Sequence, residues 1–414
     1  MKHPDGDPLL VENFLPEHRS LRVALVTETY PPEINGVALT LERLVRGLQA
    51  RQHDIQLIRP RQVAADEAPA RCSSDPTEQV LMRGLPIPRY PHLRMGLPAR
   101  RALLALWTLR RPDLVHVATE GPLGWSALQA ARKLRLPVST DFRTNFHSYS
   151  RHYGLGWLRQ PIAAYLRRFH NLADCTMVPT VTLQDELEEL GFERLLVVAR
   201  GVDTQRFDAT RRSEALRAAW GVREGEQVVL SVGRVAPEKN LDLLLRSFDA
   251  MRLVNPALRL VVVGDGPGLP ALQQRCPDAV LTGSRSGIEL AEHYASADIF
   301  LFPSMTETYG NVTPEALASG LAVLAYDYAA AAELIRHGDN GLLAPLADED
   351  AFVRRAIDLA ASQQQVERLR RRARDSTIAQ DWSRICAQVE AIWCRLIEQQ
   401  VRVAPGFKLA AARS

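Results

Sequence analysis

"QVVLSVGRVAPEKNLDLLLRSFDAMRLVNPALRLVVVGDG", residues 227–266, decides the fold. One apolar run stops at Gly233, apolar positions then recur at helical spacing through "LDLLLRSFDAMRL", and a second apolar run stops at Gly264. Continuous β-forming runs bounded by glycine and separated by a helix predict strand, helix, strand, with the strands parallel and buried on both faces. Downstream the alternation continues through "AVLTG", "GIELAEHYASA", "DIFLFPS", "TPEALASG", "LAVLAYD" and "AAAAELIRHG". Upstream a separate series runs through "LRVALVTETYPP", "VALTLERLVRGLQARQH", "DIQLIRP", "DLVHVAT", "PVSTDF", "CTMVPT" and "LLVVARG". The expected fold class is therefore α/β, two Rossmann-like doubly wound domains facing a cleft. The expected boundary is near residue 205, giving domains 1–204 and 205–387. An amphipathic C-terminal helix, about 388–414, reads either as crossing back onto the first domain or as an exposed terminal helix, with the last dozen residues frayed.

A chain of 414 residues, 46% apolar and 24% charged, has the size and composition of two soluble domains. It contains no run of roughly 18 uncharged apolar residues, so no membrane span is expected. The N-terminus lacks a stretch of signal-peptide type, and the five scattered cysteines (72, 175, 276, 386 and 394) form no C-x-x-C pair. Both features point to a reduced, cytoplasmic protein without a zinc site. Net charge is only +3, yet residues 80–170 hold fifteen Lys or Arg against Asp113, Glu120 and Asp141. That stretch reads either as a solvated surface or as a dock for anionic lipid or a phosphorylated acceptor. No recognised nucleic-acid module accompanies it.

In doubly wound sheets ligands sit beyond the carboxyl ends of the strands, which selects the loops worth reading. "SMTETYGNVTPEALASG", residues 304–320, follows a strand and carries Glu307 and Glu315. Thr313 is the expected N-cap of the next helix, with Pro314 at N1 and Glu315 at N2. The amides of Thr308, Tyr309, Gly310, Asn311 and Val312 then face the same mouth, where backbone N–H groups favour phosphate oxygens. Carboxylates there would repel a phosphate, so their use is to accept hydrogen bonds from hydroxyls on a sugar or ribose. The plain alternatives are a dipole partner for Glu315 and a solvated loop position for Glu307. In "SVGRVAPEKN", Gly233, Arg234 and Lys239 suit a diphosphate, with surface pairing to Glu238 or Asp242 as the alternative. "VVVGDGPG" is not a G-x-G-x-x-G, because Leu occupies position 269, which weakens any dinucleotide reading. Gly36 opens another strand-to-helix turn in the first half.

Taken together, these segments resemble the family 4 retaining glycosyltransferases of the GT-B fold, from "ETYPPEINGV" to "ELIRHGDNGLL". The resemblance implies that Glu307 contacts the donor sugar and Glu315 the nucleotide ribose. It also implies that Arg234 and Lys239 hold the diphosphate while Gly36 lies near it from the acceptor lobe. "YPPEINGV", "EKNL" and "TETYGNV" are most similar to the branch containing GDP-mannose-dependent α-mannosyltransferases and sulfoquinovosyl lipid synthases. One departure stands out. Where that branch carries H-T-[DN]-F-x-x-Y, this chain reads "FRTNFHSY", so either Arg143 replaces the histidine or His147 reaches its place from a shifted loop.

The expected activity is transfer of a hexose, mannose from GDP-mannose, to a lipid or glycan acceptor with retention. A UDP-hexose donor is the nearest alternative, and a non-catalytic nucleotide-sugar or glycan-binding protein is the alternative of another class. No D-x-D motif stands at a strand end, so no metal or other cofactor is expected, and the leaving charge falls to Arg234, Lys239 and helix amides. Base recognition is expected from the loop around Ser284 to Gly287. Possible partners are thus a nucleotide sugar, a lipid or glycan acceptor and an anionic membrane surface.

Overall fold

The computed structural model describes residues 20–33, 35–62, 78–87, 90–143 and 159–403. Two parallel sheets are present. In the first, the strands run Glu78–Met82, Asp54–Pro60, Arg22–Val26, Leu114–Val117, Val138–Asp141, Cys175–Val178 and Leu195–Val197 across the sheet. In the second they run Val280–Gly283, Arg259–Val263, Val228–Val232, Ile299–Phe302, Ala322–Tyr326 and Leu342–Ala344. Each sheet places its first strand between its second and its fourth, so each has a point where the winding reverses. This is the doubly wound, Rossmann-like α/β arrangement expected from the alternation.

The continuous apolar runs are explained by what the two faces meet. Val229, Leu260 and Val262 enter one apolar cluster, while Val228, Leu230, Val261 and Val263 enter the cluster on the opposite face. A period of two thus puts apolar side chains on both sides, each covered by helices. The first sheet behaves alike, with Val23 and Leu25 on one side and Ala24 and Val26 on the other. An antiparallel pair, Gly84–Ile87 with Tyr90–Gly96, adds a small third sheet that the alternation does not announce.

The helix Trp382–Val403 lies against the first sheet, not the second. Its Cys386, Val389, Ile392, Trp393 and Ile397 share an apolar cluster with Leu21, Leu25, Leu41 and Val45. Gln388 donates to the Val197 carbonyl at 2.9 Å, and Gln400 to that of Arg135 at 3.0 Å. Gly201, where the chain leaves the first sheet, abuts the Trp382 indole so closely that a Cβ there would collide with it. Among the described residues no helix is long and apolar enough to cross a membrane.

Candidate active site

In the second sheet the crevice opens between Val228–Val232 and Ile299–Phe302, which are neighbours in space though far apart in sequence. Gly233 and Arg234 follow the first of these strands, and Ser304 to Glu307 follow the second. The topology therefore brings Lys239 onto Glu307, which its ammonium contacts directly. Glu307 also accepts from the Ser304 hydroxyl at 2.7 Å, and its own carbonyl accepts from Tyr328 at 2.9 Å. The loop is thus fixed at both its side chain and its backbone.

Gly233 has φ +144°, a conformation that favours glycine, and no atom lies within 4 Å of where its Cβ would stand. That open face suits the approach of a ligand. Gly264 and Gly266 serve the same loop from behind, since a Cβ on either would strike the backbone carbonyl of Gly233 or Val235. Their spacing is a packing requirement of this turn, which is why it mimics a dinucleotide fingerprint without completing one. Gly36 likewise has open space around it, at the start of the helix Gly36–Ala50, which Asn35 caps by accepting from Val37 and Ala38.

Several expectations need correction. The helix after Glu307 is Val312–Ala318 with Asn311 as N-cap, so Thr313, Pro314 and Glu315 each sit two positions deeper than expected. Gly310, at φ +85°, reverses the chain early, and Thr313 N–H closes that turn on the Gly310 carbonyl at 3.1 Å. Proline remains tolerated there because the first-turn N–H groups have no helical partner. The side chain of Tyr309 does not open on the site, whereas the expectation for this residue concerned its backbone amide. That side chain is buried, and its hydroxyl donates to the Arg200 carbonyl at 3.2 Å. Arg234 is 63% exposed and pairs loosely with Glu238 at 3.6 Å, so the surface pairing weighed from the sequence exists. Residues Thr308 to Val312 commit no amide to a turn or cap carbonyl among the described residues. His147 lies outside the described residues.

Glu315 is half-buried and accepts from the Tyr294 hydroxyl at 3.0 Å. Burial raises its carboxyl to about 7, against the Tyr294 hydrogen bond and the charge of Arg206, which both pull it down. It lines a cavity of about 330 Å³ together with Arg285, Ser286, Gly287 and Asn311. The Asn311 side-chain oxygen is buried without a hydrogen-bond partner. Thr40 and Arg43, from the first domain, close the far wall.

In the first sheet, Asp141 ends its strand and accepts from Arg143 Nε at 2.9 Å. Burial alone would raise Asp141, but the charges of Arg143 and His116 hold it well below the usual carboxylate range. His116 Nε2 is 3.3 Å from the same carboxylate, and its Nδ1 is 2.9 Å from Ser139 Oγ, to which Trp393 Nε1 donates at 2.9 Å. A buried polar chain therefore runs from the C-terminal helix to Arg143. Sequence reading missed Asp141, His116, Ser139 and Arg200, because the pairings join segments far apart in the chain. The one available signal was polar residues inside strands otherwise apolar, "LVHV" and "VSTD". Among the described residues no group of three His, Cys, Asp or Glu is arranged to hold a metal ion.

Residues 226–362 match the family model described as glycosyl transferases group 1, and residues 34–206 that of glycosyltransferase family 4. A "GDP-mannose-dependent alpha-mannosyltransferase" of Mycobacterium tuberculosis is 34% identical over 89% of this chain and 95% of its own length. A protein of the same description from Corynebacterium glutamicum is 31% identical over 93% of this chain and 91% of its own. A sucrose-phosphate synthase from Thermosynechococcus elongatus has the same fold, with a TM-score of 0.73 over 92% of this chain and all of its own at 18% identity. The two-sheet crevice, its Lys239–Glu307 contact and this likeness over nearly the full length place the chain in glycosyltransferase family 4, with the GT-B fold.

Proposed function

We propose that the protein transfers mannose from GDP-mannose, with retention, to a lipid or glycan acceptor. The Lys239–Glu307 contact carries this reading. A cation suited to phosphate and a carboxylate suited to sugar hydroxyls meet where the sugar–phosphate bond of a nucleotide sugar would lie. In the ligand-free protein they neutralise each other, and the donor replaces both halves of the pair. Arg234 then gathers onto the diphosphate, Gly36 and Gly233 admit it, and the free amides of Thr308 to Val312 meet its oxygens. Glu315 takes the ribose, and the loop around Ser284 to Gly287 faces the base.

The acceptor hydroxyl attacks from the face the nucleotide leaves, passing its proton to the departing phosphate oxygen. Glu307 positions the sugar ring. Leaving-group charge rests on Lys239, Arg234 and the amides, with no metal or other cofactor in the scheme. Arg143, held by Asp141, stands on the acceptor side, with His147 as the second candidate there. The relatives' donor supports GDP over UDP. Residues 1–204 form the acceptor lobe with the returning C-terminal helix, and residues 205–387 form the donor lobe.

The basic stretch Arg83–Arg168 supports a peripheral, cytoplasmic contact with anionic membrane. The decisive experiment is a thermal-shift panel of GDP- and UDP-sugars followed by transfer assays on the best binder. GDP-mannose should give the largest shift, and a larger shift with a UDP-sugar would overturn the donor assignment.

A further inference from the structure

The charge balance of the cleft singles out Arg200. Arg143 is matched by Asp141, Lys239 by Glu307 and Arg234 by Glu238. Arg200 follows the strand Leu195–Val197, at the crossing between the lobes, and has no such match. Its guanidinium lies 5.7 Å from the Tyr309 ring centroid, and among the described residues it makes no hydrogen bond or ion pair. The Tyr309 hydroxyl holds the Arg200 carbonyl, so the backbone from which the side chain projects is pinned.

Electrostatics agree with this picture. Burial, and next to it the like charge of Arg143, push the Arg200 guanidinium down to about 10, against the opposing pull of Tyr309, Asp141 and Glu307. Arginine has no neutral state to adopt near neutral pH, and its planar fork matches carboxylate or phosphate oxygens. A half-desolvated guanidinium stacked on one ring and facing a second arginine leaves most of its donors without acceptors.

We propose that Arg200 receives an anionic oxygen group of a substrate at the seam between the lobes. Two sources share this chemistry, the donor diphosphate and a phosphate or carboxylate borne by the acceptor. The inference rests on the donor placement given above.

The test uses the full chain with Arg200→Gln and Arg200→Lys in two arms. One arm titrates GDP by calorimetry; the other compares transfer to a matched pair of acceptors, one acidic beside the accepting hydroxyl and one neutral. A tenfold or greater loss of GDP affinity assigns Arg200 to the diphosphate. A tenfold or greater loss confined to the acidic acceptor assigns it to the acceptor. Arg200→Lys, which keeps the charge but loses the fork, should show a smaller loss in the same arm and is read alone if Arg200→Gln fails to fold. Wild-type values in both arms, with at most a lowered Tm, would reduce Arg200 to a packing partner of Tyr309 and overturn the proposal. Arg234→Ala and Lys239→Ala serve as controls. If they leave GDP binding untouched the donor placement fails, whereas if they weaken it and Arg200 variants stay silent, only this inference fails.

Discussion

The two lobes share a winding order and differ in where they keep their polar groups. The second sheet has nearly pure apolar strands, "VVLSV", "RLVVV", "IFLF" and "AVLAY", and its chemistry sits on the loops beyond them. The first sheet carries polar groups within its strands, with His116, Ser139, Thr140, Asp141 and Thr176 all buried. Thr140 Oγ1, for example, lies 2.9 Å from His170 Nδ1 and 2.8 Å from Thr176 Oγ1. A loop-borne site meets its ligand directly and reforms its contacts when the ligand arrives. A strand-borne network is satisfied internally and acts by fixing one or two side chains at the cleft. The donor lobe should therefore fail through affinity and transition-state charge, the acceptor lobe through orientation.

The largest expected effect tests the donor side. Lys239→Ala removes the partner of Glu307 and the cation nearest the sugar–phosphate junction, and should raise the barrier by about 2–4 kcal/mol, roughly 30- to 1000-fold in turnover. Arg234→Ala should cost less, since its side chain is 63% exposed in the free protein and must be recruited by the ligand. Steady-state kinetics at saturating donor check both. Near-normal turnover in both variants would break the assignment of the second lobe to the diphosphate.

Next in size is the division between the two glutamates. Glu307→Gln should lower turnover about 10- to 100-fold and relax discrimination between sugar epimers, because its contact strengthens where the sugar reacts. Affinity for GDP alone should hold or improve, since the substitution also releases Lys239 from its pair. Glu315→Gln should instead weaken GDP itself, an interaction shared by substrate and product. Calorimetry with GDP beside kinetics with the intact donor separates them, and a reversed pattern would exchange their roles.

What was legible follows the same division between lobes. Gly-bounded apolar runs announced both sheets, and Arg234, Lys239, Glu307 and Glu315 stood out as candidates because each lies in the segment between a strand and the body of the next helix. The helix start at Asn311 was misjudged because Gly310, not a capping side chain, sets the turn. Arg143 was visible only as a departure from a resembled pattern. Its partner Asp141 lies two residues away, at the end of the preceding strand, yet the chain through His116, Ser139 and Trp393 joins three distant segments, and no local spacing records such a contact. Arg200 was hidden for a related reason, since its isolation emerges only once every neighbouring cation is seen to be paired.

A smaller effect concerns pH. Glu315 is raised by burial to about 7, so the folded state holds its proton more tightly than the unfolded chain does. This contribution to stability is complete below the ordinary value of 4.5 and is lost as pH climbs toward 7. Ligand binding has the opposite sign. A ribose hydroxyl donating to the ionised carboxylate favours the deprotonated form, so GDP affinity should fall by up to about tenfold from pH 8 to pH 6. Glu315→Gln should flatten that profile while Glu307→Gln leaves it in place. An unchanged slope in Glu315→Gln would remove Glu315 from the nucleotide.

The smallest effect tests the acceptor lobe at its far end. Indole N–H only donates, so Trp393 fixes Ser139 Oγ as its acceptor, 2.9 Å from His116 Nδ1. His116 Nε2 in turn lies 3.3 Å from Asp141, the carboxylate that holds Arg143. Trp393→Phe retains a ring in the apolar cluster and deletes this one donor. Ser139 is then free to turn away, and the His116 ring loses a fixed partner at Nδ1. The loss should resemble that of one hydrogen bond, about 0.5–1.5 kcal/mol, read as a two- to tenfold fall in turnover with acceptor. GDP affinity should remain that of the wild type, because nothing in the chain touches the donor lobe. Ser139→Ala should match it without adding to it, since both act through the same histidine. If Trp393→Phe weakens GDP as much as it slows transfer, orientation and affinity are not divided between the lobes. If it lowers Tm alone, the polar chain is only a way of satisfying buried groups in the first sheet.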